Sequence, residues 1–249
     1  MKCLQLITVI AFSVCSVVSA NAGVLTLSGT IYDKVAAEAD FEDPCCSGLV
    51  TGLVSSTLAA DGLPEFVAND GDGDITSAAS FDAWWMDTNG TKAFDLDLTE
   101  TAPDSGVFSY TDSAFFPIDN ELAGNEGRNH NYHFTMHLEG ITTFKETDVF
   151  AFLGDDDLWV YIDGKLVMDL GGVHAAVSDT LTGADLMAMG LAEDTEYDLD
   201  IFFAERHTVA SNFNIATSFR VKSEVPAPQV LLMFGLAVCA VRLLRRQSN

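Results

Sequence analysis

This chain has few cysteines, few basic residues and no known catalytic signature. Five of its 249 residues are cysteine. Cys3, Cys15 and Cys239 fall in the terminal segments, so the body keeps only the adjacent pair Cys45-Cys46. That excludes the disulfide framework that braces small secreted domains and leaves the fold to a hydrophobic core. Neighbouring cysteines can close only a strained vicinal bridge; two unbridged or intermolecularly paired thiols are the other reading. Lysine and arginine number 12 against 37 aspartates and glutamates. All the acids and eight of the bases lie in residues 23–224, whose formal charge is therefore −29 (8 − 37). Such a balance argues against nucleic acid as a partner, because phosphate binding needs clustered cations. It favours solubility and supplies many oxygen ligands for hard cations such as calcium. No G-x-S-x-G elbow and no H-E-x-x-H pair occurs, and nothing repeats at a fixed period.

Both ends read as targeting segments. Lys2 precedes the apolar run Leu4 to Val18, and Ala20-Asn21-Ala22 forms an A-x-A cleavage signal, so residues 1–22 are expected to be a signal peptide. The other end, residues 225–249, reads VPAPQVLLMFGLAVCAVRLLRRQSN. Its apolar stretch, Val230 to Val241, is shorter than the roughly 20 residues that span a bilayer comfortably. Arg242, Arg245 and Arg246 beyond it would stay on the cytoplasmic side. This order of proline motif, apolar helix and arginine cluster resembles the PEP-CTERM sorting signal, with Pro-Ala-Pro where the family name has Pro-Glu-Pro. The resemblance implies recognition by an exosortase-type membrane protease. The protein is then expected at the cell surface or in the extracellular matrix, transiently anchored in the membrane by the tail.

Strand patterns dominate the body, residues 23–224. GVLTLSGTIYD alternates apolar and polar residues. HNYHFTMHL sets Tyr132, Phe134, Met136 and Leu138 on one face and His133, Thr135 and His137 on the other. TEYDLDIFF starts by alternating and then becomes apolar on both faces, and FNIATSFRV alternates throughout. An Asp163-Gly164 pair between two apolar runs predicts a type I′ hairpin. The expected fold is all-β, an antiparallel β-sandwich or barrel with one or two short helices, flanked by targeting helices. One helix is expected within FEDPCCSGLVTGLVSSTLA, residues 41–59.

Several constellations could carry chemistry. His133 and His137 lie four strand residues, roughly 13 Å, apart, too far to share one zinc ion; half-exposed polar histidines are the better reading. Glu205-Arg206-His207 reads as a structural ion pair at a strand end. ANDGDGDIT, residues 68–76, resembles an EF-hand loop but has Ala68 and Ala79 where the first and last ligands belong, which excludes a complete EF-hand. Asp155-Asp156-Asp157, just before the apolar hairpin strand, is the most pointed cluster, because adjacent carboxylates repel and a strand start has cheaper choices.

GDDDLWVYIDGKLVMDLGGVH together with YDLDIFFAERHTVASNFNI, and upstream ADFEDPCCSGLV, FDAWWMDT and FFPIDNELAGNEGRNHNYHFTMHLEGITTF, closely resembles the fibro-slime domain, a relative of the protective-antigen lectin-like domain. The resemblance implies a β-sandwich or barrel whose adhesin members bind sugars through calcium. It further implies that Asp155 and Asp156, joined by a cis peptide, hold the ion with Asn212, or alternatively Asn214, from a later loop. Asp157 stands where glycine is frequent. The resulting expectation is a secreted, non-enzymatic, calcium-binding adhesion or biofilm-matrix protein that engages a glycan or extracellular polysaccharide. A matrix building block in which calcium only locks a loop is the alternative, and a secreted glycosidase a third. Trp84 and Trp85 are read as core residues that could also stack on a sugar.

Overall fold

The structure, a computed structural model, describes residues 23–42, 48–67 and 75–222. The signal segment, Cys45-Cys46, most of the acidic loop (68–74) and the sorting tail lie outside the described residues. Among the described residues no helix is long and apolar enough to cross a membrane.

Among the described residues eleven strands form one antiparallel sheet that curls into a nearly closed barrel. They are β1 (Val24–Asp33), β2 (Thr91–Glu100), β3 (Phe108–Asp112), β4 (Phe134–Thr143), β5 (Val149–Gly154), β6 (Asp157–Ile162), β7 (Lys165–Leu170), β8 (Val177–Thr182), β9 (Tyr197–Glu205), β10 (Phe213–Thr217) and β11 (Arg220–Lys222). The order is β7-β6-β9-β4-β1-β2-β3-β10-β5-β8, with β11 added to β4. The two strands that end this order, β7 and β8, lie beside each other. Two short helices, α1 (Ala78–Asp82) and α2 (Gly183–Ala188), each open on a capping box, built on Ser77 and Thr182. The expected class is thus observed.

Alternation explains which residues go where. Phe134, Met136 and Leu138 of β4 point into the main core with Leu199, Ile201 and Phe203 of β9 and Leu158, Val160 and Ile162 of β6. Phe115 sits at the centre of that core, stacked on Phe213 at 4.9 Å and edge-on to Phe203 and Phe134. The strands that read as apolar on both faces carry a second core outside the sheet. There Trp159, Tyr161, Phe202 and Ala204 are covered by Phe41, Leu53, Val54, Phe81, Trp84 and Trp85. Lys34 anchors this cover, donating from its buried Nζ to the carbonyls of Ala83 (2.7 Å) and Met86 (2.9 Å). Asp163 and Gly164 take φ of 55° and 66°, the conformation of a type I′ turn, and Ile162 pairs with Lys165 as the hairpin requires.

Three expectations are corrected. Residues 48–59 form no helix: Gly48 and Gly52 have φ of 138° and 83°, and Val54 bridges Phe66 while Thr57 bridges Lys165. FNIATSFRV is two strands, not one, because Ser218 leaves the ladder to bond Val149 and β11 moves to β4. His133 is not half-exposed but fully buried, its ring nitrogens at 2.9 Å from Glu42 and from Glu126.

Candidate functional site

Three connections meet at one end of the barrel. Asp155 and Asp156 bridge β5 to β6, residues 171–176 join β7 to β8, and residues 206–212 join β9 to β10. Together they line an open pocket of about 350 Å3 that includes Asp155, Asp156, His174, Glu205, His207 and Asn212. Its remaining wall is small and apolar: Val173, Ala175, Ala176, Val209 and Ala210.

The three consecutive acids are buried, at 6%, 4% and 0% exposure, and each has its own donors. Asp155 accepts from Asn212 twice, from the main-chain N–H and from the side-chain Nδ2 at 2.6 Å. Asp156 accepts from the main-chain N–H of Arg206 at 2.7 Å, while its own N–H donates to the His174 carbonyl at 3.3 Å. Asp157 forms a buried ion pair with Arg206 Nε at 2.6 Å and accepts from Gly172 N at 2.7 Å. The guanidinium also donates to the Asp40 carbonyl at 3.1 Å and lies 4.9 Å from the Trp84 ring centroid. Arg206 therefore ties the site to the outer core, and its acidic partner is Asp157, not the neighbouring Glu205 that the sequence suggested. Both ring nitrogens of His174 sit against carbonyls, those of Ala175 (3.0 Å) and Leu170 (3.1 Å).

Glu205, read from sequence as one half of a structural ion pair, instead faces the pocket. It ends β9 at 1% exposure, and among the described residues no hydrogen bond reaches its Oε2. Burial, then the charges of Asp156 and Asp155, holds its carboxyl well above the usual range. Asp156 is pushed up to about 7, chiefly by burial, with Arg206 opposing and Asp157 and Asp155 adding to the rise. Three carboxyl groups thus converge on one cavity, which His207 also lines, and hydrogen bonds from the Ser211 side chain and the His207 main chain oppose the rise at Glu205. Only the unusual spacing, an acid at the last residue of a doubly buried strand, could have signalled it.

Asp155, Asp156 and Asn212 are brought together, but Asn214 is not. It sits on β10 with Nδ2 on the Leu153 carbonyl at 3.0 Å, in a separate groove with Thr111 and Ser178. The peptide bonds of the described residues are all trans; instead of a cis bond, the acidic turn uses Asp156 in the left-handed region, φ 52°. Trp84 and Trp85 are buried at 1% and 4%, as core residues.

Residues 119–226 match the PA14 domain. The PA14 match covers β4 to β11 and every residue of the pocket. The chain is also 37% identical to protein psiC of Dictyostelium discoideum over 216 residues, 79% of this chain and 41% of psiC. It is 34% identical to psiQ of the same organism over 214 residues, 79% of this chain and 21% of psiQ. The chain therefore spans less than half the length of these relatives. Among solved structures it is similar to the PA14 domain of the MpAFP antifreeze protein, at 11% identity over 82% of this chain and 95% of that one, TM-score 0.38. The PA14 sugar-binding domain from an RTX adhesin is 12% identical over 79% and 97%, TM-score 0.34.

Proposed function

We propose that this is a secreted, non-enzymatic surface or matrix protein whose PA14 pocket holds calcium and, through it, a glycan. The convergence of buried Glu205 with Asp155 and Asp156 on one pocket carries this reading, because a cation would relieve the cost of holding three carboxylates together. Carboxylates are the hard oxygen ligands calcium takes, and the pocket is open on the side a sugar would enter. Asp155, Asp156 and Glu205 would hold the ion; Asn212, turned about its amide, would offer its carbonyl oxygen. Sugar hydroxyls would complete the coordination, with the apolar wall of Val173, Ala175, Ala176, Val209 and Ala210 against the carbon face of the ring. Export through residues 1–22 and exosortase processing of residues 225–249 belong to the same proposal.

A second reading has one observation in its favour. Asp155 already couples the β5–β6 turn to the 206–212 loop through Asn212, so an ion there could act as a structural lock alone. Calorimetric calcium titration of the native protein against Asp155→Asn and Asp156→Asn tests the ion, and a glycan array with and without chelator tests its use. Binding of glycan that chelator abolishes is expected. Calcium binding without any glycan leaves the lock, and no calcium binding defeats both.

A further inference from the structure

We propose that His137, Glu139 and Asp200 form a second cation site, suited to a borderline transition metal such as zinc, on the outer face of the β4–β9 ladder. Glu139 and Asp200 are directly paired across these strands, and His137 lies two residues along on the same face. One ligand atom from each lies within 4.8 Å of the other two, and His137 Nε2 is 2.8 Å from Asp200 Oδ1. Four-coordinate zinc, with bonds of about 2.0–2.2 Å, separates its ligands by about 3.4 Å, so small side-chain rotations close the set. The ring is held for it: His137 stacks on Phe202, its cross-strand partner, at 4.1 Å and 16°.

Two like charges placed directly opposite on an antiparallel pair destabilise it unless a cation stands between them. Among the described residues no lysine or arginine forms an ion pair with Glu139, Asp198 or Asp200. The His137–Asp200 pair accounts for two of the three groups and leaves Glu139, facing Asp200, unexplained. His133 shows the contrast. It also has two carboxylates, but one at each ring nitrogen, so no single ion can bridge them. At His137 the three groups face one point. A pocket of about 260 Å3, lined by Glu139, Asp198, Asp200, Leu58, Gly62 and Gly164, adjoins them with room for a water or ligand in the fourth position. The imidazole nitrogen favours zinc, copper or nickel over calcium, whose sites are all oxygen.

The test is calorimetric titration of the chelator-stripped native protein with Zn2+, and with Co2+ followed by its visible absorption. The expected result is one high-affinity ion whose affinity falls by more than about tenfold in Glu139→Gln and in His137→Ala, tenfold being the scale on which even outer-shell changes act. It should be unchanged in Asp155→Asn. Glu139→Gln, at an exposed position, keeps the test valid should His137→Ala fold poorly. Absence of zinc binding, binding unchanged in Glu139→Gln, or binding lost in Asp155→Asn would each overturn the proposal.

Discussion

At the scale of single residues, the Asp155-Asp156-Asp157 run divides its work. Asp157 is structural: it is fully buried against Arg206, which also touches Asp40 and Trp84. Removing one member of such a pair strands the other charge in the interior, at a cost of about 3–5 kcal/mol. Arg206→Met should therefore lower the unfolding free energy by about that amount in urea titrations, well beyond the effect of a surface arginine. Asp156 carries a different signature. Its carboxyl is pushed up to about 7, so the metal-free fold keeps a proton that the unfolded chain gives up near pH 4. The sign follows from linkage: the folded state binds the extra proton, so this stabilising contribution is full below about pH 4 and is lost as pH rises to about 7. In chelator, native protein should lose stability relative to Asp156→Asn between pH 4.5 and 7.5, measured by urea denaturation of both. Parallel pH profiles for the two proteins would remove Asp156 from the account. Of the two partners proposed for these acids, Asn212 arrives and Asn214 does not. Both alternate in the same short run, and a sequence cannot say at which residue the loop ends and β10 begins.

At the scale of elements, the legible parts were those with a strict period. β1 and β4 follow their apolar alternation, β9 does so as far as Ile201, and Asp163-Gly164 makes the turn its composition demands. What resisted reading was what depends on neighbours distant in sequence. Residues 48–59 have helix-like apolar spacing because they must cover the outer face of β6 and β9, and they do so as extended chain and bridges. Glu205 and the Glu139–Asp200 pair acquire meaning only through strand register, which no local pattern encodes. Register also explains Gly29 in the middle of β1. A Cβ there would lie 1.9 Å from the His137 carbonyl oxygen and 2.8 Å from Leu138 Cα, both backbone atoms of β4 that cannot yield without parting the strands. Gly29→Ala should cost about 3 kcal/mol or more, at the upper end of single substitutions. Gly164→Ala, with φ 66° and open space around it, should cost only about 1 kcal/mol. Thermal melts that ranked the two the other way would show that β1 and β4 can separate without loss.

At the scale of the whole molecule, the body's formal charge of −29 sets two opposing trends. Self-repulsion among so many carboxylates destabilises the compact state, and salt relieves it, because the Debye length is about 10 Å at 0.1 M and about 3 Å at 1 M. Any cation should therefore raise the melting temperature to some degree, which makes a bare calcium effect ambiguous. A filled site behaves differently. Calcium bound only by the folded chain stabilises by mass action, about 2.7 kcal/mol at a concentration one hundred times the dissociation constant, and saturates. Screening grows with ionic strength and is indifferent to which carboxylate is absent. Melting the native protein and an Asp155→Asn, Asp156→Asn double variant in NaCl and in CaCl2 at matched ionic strength separates the two. Both proteins should gain in NaCl, and only the native protein should gain further in CaCl2. If the double variant shows the same calcium increment, the ion acts on the acidic surface as a whole, and the converging carboxylates at the barrel end are not its site.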